Sequence, residues 1–303
     1  MIKLYRVETV EEYVRVASEI ATSSDSATWF RGQGSGEYRL LPSALRDVVP
    51  THDARGYPLR GDEQLNSRGL KMTGISPERL LAEFKRRALP FVQAQPRNDF
   101  EWLFLMQHHG VPTRLLDWST NALAALYFAV EHARPPELSD RPVEDEGLQE
   151  FSSDDVAVYC MNPATINSVL HAVNGPIDIA EAGERWAKYA DPCASEIAAY
   201  EPVCIVAPHV SPRIRAQSGT FTLHGSNVDP LDYYDNLRGL LHKVLISKRS
   251  AERIRGQLAL LGMTTSYIYP DLDGLAREIT AQERERFLAQ RRRHLASLTA
   301  SNN

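Results

Sequence analysis

The chain has 303 residues, of which 43% are hydrophobic and 24% are charged, and its formal net charge is -5. This composition is typical of a soluble globular protein and excludes disordered and collagen-like chains. The slight acidity argues against a surface that binds nucleic acid throughout, because duplex binding needs a concentrated basic face. The length allows one large domain or two small ones.

The cysteines and the absence of long apolar runs bound the chemistry and the location. Cys160, Cys193 and Cys204 lack the paired CxxC spacing of tetrahedral zinc sites, so no metal is predicted. Cys160 and Cys204 lie in apolar runs, which favours burial over reactivity. The first residues do not resemble a signal peptide, and no stretch of about 18 apolar residues occurs. We expect a cytoplasmic protein that makes no membrane contact.

The first half of the chain is predicted to be mainly helical. Apolar side chains at helical spacing predict a helix over residues 10–20, and the aromatic residues before Gly32 predict a strand over residues 28–31. Residues 45–77 are rich in Gly, Pro, Arg and Asp and are predicted to form a long loop. Three further helices are expected: one starting at Pro77 after the N-cap Ser76, one over residues 99–109, and one capped by Asn121.

The second half is predicted to contain most of the strands. An acidic, proline-containing surface loop is expected over residues 135–155. β-Branched and aromatic residues predict strands over 156–160, 204–207, 219–223 and 243–246, and a strand-like segment over 264–269. A helix is expected over residues 250–262, a turn over 270–274 and a charged helix over 277–298.

Three polar segments lie next to apolar segments that are expected to be buried. Each polar segment has two interpretations. Arg31, at a strand end after two aromatic residues, is either paired inside the fold or available to an anionic ligand. In the segment QHHGVPTRLLDWS (107–119), Asp117 and Arg114 either form a structural ion pair or line a cleft with the neighbouring polar residues. Ser119 either caps the next helix or belongs to that cleft.

The remaining segment is RIRAQSGTF at residues 213–221. Gln217 either hydrogen-bonds a ligand amide or satisfies a buried carbonyl, and a structural role is slightly favoured for this residue alone. Hydrolysis by a Ser-His-Asp triad fits poorly, because the chain has no GxSxG elbow around Ser119.

These segments resemble the FRG domain family, which is named for its aromatic-Arg-Gly motif. The resemblance spans roughly residues 29–274 and rests on six segments in order: FRGQ (30–33), LPSALR (41–46), QHHGVPTRLLDWS (107–119), YFAV (127–130), QSGTF (217–221) and YPDLDG (269–274). The second histidine position resembles one where the family accepts an aromatic such as tyrosine. His108 is therefore preferred over His109 as a functional residue.

The resemblance implies a bacterial protein in a phage-defence or toxin context, distantly similar to ADP-ribosyltransferases. The implied fold is α+β, with helices early in the chain packed on a mainly antiparallel, split sheet. The implied substrate is NAD, held by Arg31 on the first strand and supported by Ser119 on the second. Residues expected to contact the nucleotide are Gly32, Gln33, His108, Thr113, Arg114 and Asp117.

The chain departs from the transferase pattern at the catalytic acid. No Glu-x-Glu stands on a late strand; Gln217 occupies that position, and Glu201 is the nearest acid flanking a strand. Because a glutamine cannot supply the negative charge that an oxocarbenium-like transition state favours, the activity could be lost or redesigned. A non-catalytic module that senses a nucleotide or a protein partner is therefore the alternative hypothesis.

A third alternative is a nuclease, suggested by arginines at 213, 215, 253, 255 and 291–293. It lacks a metal-binding carboxylate cluster, and Asp271 and Asp273 are better explained as turn-forming residues. The predicted organisation is an N-terminal helix (1–28), an FRG-like domain (29–275, with surface loops at 46–76 and 135–155) and a charged C-terminal helix (276–303). A nucleotide or NAD is the expected partner, with a protein or nucleic acid as a possible acceptor.

Overall fold

The computed structural model describes residues 1–22, 27–52, 62–65, 70–92, 95–133, 155–179, 183–192, 199–207 and 212–300. The strands are β1 (Lys3–Val7), β2 (Trp29–Gln33), β3 (Val49–Pro50), β4 (Asp62–Leu65), β5 (Lys71–Gly74), β6 (Leu115–Ser119), β7 (Val156–Met161), β8 (Ile177–Asp178), β9 (Val203–Val206), β10 (Gly219–Leu223) and β11 (His242–Ile246). The helices are α1 (Val10–Thr22), α2 (Pro77–Ala88), α3 (Asp99–His108), α4 (Ala122–Val130), α5 (Pro163–His171), α6 (Glu184–Ala187), α7 (Pro212–Ala216), α8 (Asp235–Arg238), α9 (Ala251–Leu260), α10 (Thr265–Ile268) and α11 (Leu272–Ala300).

The main sheet has eight strands in the order β1-β11-β7-β2-β6-β10-β9-β8. Only the outermost pairs, β1 with β11 and β8 with β9, are parallel. The predicted α+β class with a mainly antiparallel, split sheet is confirmed, although helices also occur late in the chain. The strands β3, β5 and β4 form a separate three-stranded sheet.

The main sheet splits between β2 and β6. These strands share a single register pair, Phe30 with Ser119, whereas β2 pairs with β7 over five residues. Because paired residues in a sheet point to the same face, Phe30, Ser119 and Asp117 share one face with Phe221, the partner of Asp117 on β10. The split therefore opens beside Asp117.

Two groups of helices cover this face and leave a gap between them. The helices α1, α4 and α9 pack on the half formed by β2, β7 and β11, in a core that includes Phe30 and Val158. The helices α2 and α3 pack on the half formed by β6, β10 and β9, in a core that includes Leu115 and Phe221. The opposite face carries a third core, which includes Trp29 and Trp118.

Side-chain caps and one glycine fix the helices that border the gap. Ser76 and Asn98 accept hydrogen bonds from backbone N–H groups at the starts of α2 and α3, and Asn121 does the same for α4. A Cβ atom on Gly32 would lie 1.9 Å from the carbonyl oxygen of Ala125 on α4. Glycine at position 32 therefore allows the apolar helix α4 to lie directly on β2.

Several sequence-based predictions need correction. Residues 265–268 form the helix α10, capped by Thr264, rather than a strand, because the Thr264 hydroxyl accepts a bond from the N–H of Tyr267. Strand β1 was not predicted. Within the predicted loop 45–77, the described residues form β3, β4, β5 and the start of α2. The predicted turn at 270–274 begins α11, because Asp271 accepts a hydrogen bond from the N–H of Gly274.

The remaining predictions concern the loop at 135–155, the cysteines and the membrane. Residues 134–154 and Cys193 lie outside the described residues. Cys160 and Cys204 are buried, as predicted, and burial raises the pKa of both thiols. In the described ranges, no helix combines the length and apolarity needed to span a membrane, and no group of His, Cys, Asp and Glu could hold a metal ion.

Candidate functional site

A cleft of about 330 Å³ lies in the gap between the two groups of helices, over the ends of β2, β6 and β10. Its floor comes from the strands and its walls from α3, α4 and α7. The lining residues are Phe30, Arg31, Gly32, Phe104, Gln107, His108, Asp117, Trp118, Ser119, Phe128, Arg213, Ile214, Gln217, Gly219 and Phe221. Clefts of this size bordered by convergent polar groups are typical of ligand sites.

Asp117 is the carboxylate on the floor of this cleft. The other residues of β6 are buried, whereas 56% of the Asp117 side chain is exposed. Gln107 on α3 donates a hydrogen bond from Nε2 to Asp117 Oδ2 at 2.8 Å, and its Oε1 accepts one from Thr113 Oγ1 at 2.6 Å. The Thr113 hydroxyl in turn accepts a bond from the N–H of Leu115. This relay fixes the orientation of the Asp117 carboxylate.

Arg31 enters the gap between β2 and β6 from the floor. Its Nη1 donates to the carbonyl oxygen of Asp117 at 2.7 Å and lies 3.8 Å from the Asp117 carboxylate. Only 14% of the side chain is exposed, and its Nε has no hydrogen-bond partner among the described residues. Burial lowers the pKa of Arg31 to about 10, opposed by the charge of Asp117. The guanidinium therefore stays cationic at neutral pH with unused donor capacity.

His108, the last residue of α3, stands on the wall of the cleft. Burial lowers its pKa below the ordinary value of 6.5, and the charges of His109 and Arg213 lower it further, while Asp271 opposes them. The imidazole is therefore neutral at pH 7 and can accept a proton.

Ser119 and Gln217 hold the wall opposite α3. The Ser119 hydroxyl donates to the carbonyl oxygen of Gln217 at 2.7 Å and accepts from the N–H of Asn121 at 2.9 Å. The Gln217 amide donates to the carbonyl oxygen of Ile268 at 3.1 Å. Asn121, and not Ser119, is the N-cap of α4. Both side chains thus join the strand ends to α4 and α10 while bordering the cleft.

Three of the residues expected to contact the nucleotide lie inside the fold. Gln33 and Thr113 are buried, and neither lines the cleft. Arg114 is 3% exposed; it pairs with Glu78 at 3.2 Å and donates to the carbonyl oxygen of Gly225. The suggested ion pair between Arg114 and Asp117 is therefore wrong, because Arg114 pairs with Glu78 and Asp117 pairs with Arg31.

Glu201 lies at the other end of the sheet from the cleft. It precedes β9, whose first residue pairs with Leu223, whereas the cleft lies at Gly219, four residues away along β10. At a rise of about 3.3 Å per residue, the separation exceeds roughly 13 Å. Burial raises the pKa of Glu201, but its position excludes it from a shared site with Arg31 and Ser119.

Sequence reasoning did not select Gln107 or Arg213 for the site. Gln107 could have been found, because it is the first polar residue after the apolar run of α3, at the level where the cleft begins. The position of Arg213 at the cleft could not be predicted from the sequence, because it depends on the tertiary packing of the short helix α7.

A larger apolar groove of about 1030 Å³ adjoins the cleft between α2 and α3. The two cavities share Phe104, His108 and Ile214. The groove also presents Phe91, whose surface is 85% exposed, at its edge. An elongated ligand could therefore extend from the polar cleft into an apolar channel.

Comparison with known families agrees with the motifs that build this cleft. Residues 26–137 match the FRG domain. The FRG domain match supplies Arg31, Gly32, His108, Asp117 and Ser119, but it covers less than half of the chain. Residues from α7 and β10, which complete the cleft, lie beyond it. No match to a curated protein or to a solved structure was found.

The cleft combines a fixed carboxylate, a neutral imidazole and cationic guanidinium groups. Asp117 can stabilise positive charge that develops on a bound substrate. His108 can accept a proton from an attacking group. Arg31 and Arg213 can bind anionic oxygens, for which the planar guanidinium is suited. These capabilities are those of acid–base or group-transfer chemistry on an anionic substrate.

Proposed function

We propose that the protein binds NAD in this cleft and cleaves its bond to nicotinamide, transferring the ADP-ribose to an acceptor or to water. The observation that carries the proposal is the pairing of Asp117, held by Gln107, with the buried cationic Arg31. The resemblance to FRG proteins suggests that this activity serves a bacterial defence or toxin role.

Two features of the described residues support a dinucleotide as the proposed ligand. Among the described residues, Arg31 lines the cleft and donates only from Nη1, so its other terminal N–H groups are the kind of donor that a ligand oxygen would satisfy. The cleft alone suits one half of such a ligand, and the adjoining apolar groove offers aromatic surface for the other half.

The residues have separate roles in the proposed reaction. When the bond between the ribose carbon and the nicotinamide nitrogen breaks, its electrons leave with nicotinamide and positive charge develops on the ribose. The Asp117 carboxylate stabilises that charge, replacing Glu201 as the proposed acid. His108 takes the proton from the attacking hydroxyl or water, while Arg31 orients the substrate.

A non-catalytic nucleotide-sensing domain is the second candidate. It is favoured by one observation: Asp117 is the only carboxylate among the described residues that line the cleft, and it already has two partners. Binding of ADP-ribose or NAD without turnover, measured by calorimetry, would support this candidate over the enzyme.

The test is to incubate the full chain with NAD labelled in its adenosine half, in the presence of cell lysate, beside the Arg31→Met variant. We expect free nicotinamide together with labelled ADP-ribose or a labelled acceptor, and at least about a tenfold lower yield from the variant. If neither nicotinamide nor a labelled product appears, the catalytic proposal is wrong.

A further inference from the structure

Two arginines, one lining the cleft and one on α11, have no role in the proposed bond cleavage. Arg213 on α7 lines the cleft, and its guanidinium carbon lies 4.7 Å from the centre of the Tyr269 ring. Arg277 on α11 places its guanidinium carbon 4.4 Å from the centre of the same ring. The Tyr269 ring thus makes cation–π contacts with two arginines from different helices.

The surrounding contacts hold the Tyr269 ring in place. Its hydroxyl donates to Glu131 at 2.8 Å, and the ring contacts Phe128, which lines the cleft. A Cβ atom on Gly274 would lie 2.0 Å from the carbonyl oxygen of Tyr269, so glycine allows α11 to start directly against this residue. The position of Arg277 beside the Tyr269 ring therefore follows from the packing of α11.

The two guanidinium groups keep most of their donors free. Within the described part of the chain, neither Arg213 nor Arg277 forms a salt bridge. Arg277 donates only from Nε, to the carbonyl oxygen of Asp273. Two acids near Tyr269 have other hydrogen-bond partners: Glu131 accepts from the Tyr269 hydroxyl, and Asp271 accepts from the N–H of Gly274.

We propose that Arg213 and Arg277, gathered by Tyr269, form a clamp for the diphosphate group of a nucleotide substrate. Guanidinium groups bind phosphate oxygens through paired charge-assisted hydrogen bonds, so two of them held at one ring offer one cation for each of two linked phosphates. This inference rests on the proposed function for the identity of the substrate, but the clamp itself is a binding property that does not require turnover.

The test is calorimetric titration of the full chain with inorganic pyrophosphate, ADP-ribose and AMP. We expect the wild type to bind pyrophosphate and ADP-ribose, and to bind AMP about tenfold more weakly. Arg213→Gln and Arg277→Gln should each weaken pyrophosphate and ADP-ribose binding by about tenfold, since each removes charge-assisted hydrogen bonds. Raising the salt concentration should reduce these differences.

Matched variants separate the clamp from a general loss of charge. Arg215 lies on α7 but is exposed and does not line the cleft, and Arg284 is an exposed residue of α11. Arg215→Gln and Arg284→Gln should leave both affinities within about twofold of wild type. Thermal unfolding of every variant verifies that the differences do not come from misfolding.

The outcomes distinguish the clamp from the proposed reaction. Pyrophosphate binding that depends on Arg213 and Arg277, without nicotinamide release, would keep the clamp and reject the transferase. Nicotinamide release that both glutamine variants retain, with unchanged ADP-ribose affinity, would reject the clamp alone. Failure of the wild type to bind pyrophosphate, or equal losses in the Arg215 and Arg284 controls, would also overturn it.

Discussion

The surroundings of two arginines show how the motif residues divide between structure and function. Arg114 is buried against Glu78 and the Gly225 carbonyl, so that its charge is compensated within the fold. Arg31 is also mostly buried, but its carboxylate partner Asp117 is 3.8 Å away and its Nε is unpartnered. A buried charge that the fold leaves incompletely satisfied beside a cleft is a candidate for ligand binding.

Replacing Arg114 with methionine should have the largest effect on stability. The change leaves Glu78 without its buried partner, so we expect the free energy of unfolding to fall by about 3 kcal/mol. Urea denaturation measures this loss. Arg86→Met is the control, because both side chains of its pair with Glu83 are exposed, and it should cost less than about 1 kcal/mol.

Replacing Arg31 with methionine should separate binding from stability. Because the fold satisfies this guanidinium poorly, the free energy of unfolding should change by less than about 1 kcal/mol. The affinity for ADP-ribose should fall by about tenfold or more, as measured by calorimetry. A loss of stability equal to that of Arg114→Met would show that the two arginines do not differ as described.

The free energy of unfolding should also fall in acid, because of the buried residue His224 near Arg114. Both ring nitrogens of this buried residue lack partners, and burial lowers its pKa from about 6.5 to about 3, assisted by Arg114 and Arg31. Below about pH 6.5, His224 therefore binds a proton in the unfolded chain but not in the folded chain. Stability should fall between pH 6.5 and pH 3, by at most about 1.4 kcal/mol per pH unit from this group.

His224→Leu should flatten that part of the profile of unfolding free energy against pH. His132→Gln, at an exposed histidine, is the control and should leave the profile unchanged. An equally steep fall in His224→Leu would show that other groups cause the sensitivity to acid.

Gln107→Met should slow the reaction less than removal of the Asp117 charge does. The substitution removes the donor that orients Asp117 and the acceptor for Thr113, but it retains the charge of the carboxylate. We expect kcat for nicotinamide release to fall by about tenfold while KM for NAD changes little, because the residue acts through positioning. Gln290→Met, on the exposed side of α11, should leave both constants unchanged; a rise in KM alone would contradict the positioning role.

Much of the fold could be predicted because its signals are local. The Ser76–Pro77 cap, the Asn121 cap and the alternating strand β10 all occur where the sequence placed them. Residues 264–269 were mistaken for a strand, because their β-branched and aromatic residues favour strands while the Thr264 cap favours a helix. In the structure, the cap and the packing against α11 prevail.

The candidate site was only partly predictable, because its residues come from segments that are distant in the chain. The cluster around Asp117 could be recognised as polar residues beside buried strands. The motif does not reveal that Asp117 faces the cleft while Arg114, which precedes β6, is buried against Glu78. Glu201 was chosen for its proximity to a strand, yet it lies at the wrong end of that strand. The contact between the Arg213 guanidinium and the Tyr269 ring depends on how α7 and α11 pack, which the sequence does not reveal.

The most direct test of the account is the rate of nicotinamide release from NAD by wild type and by Asp117→Asn, at matched folded protein concentration. Asp235→Asn serves as a control, because Asp235 is an exposed acid in α8 on the opposite face of the sheet. The account predicts measurable release by wild type and by the control, and a rate at least about a hundredfold lower for Asp117→Asn, whose amide cannot stabilise developing positive charge. Release by Asp117→Asn at the wild-type rate, or none by wild type, would contradict it.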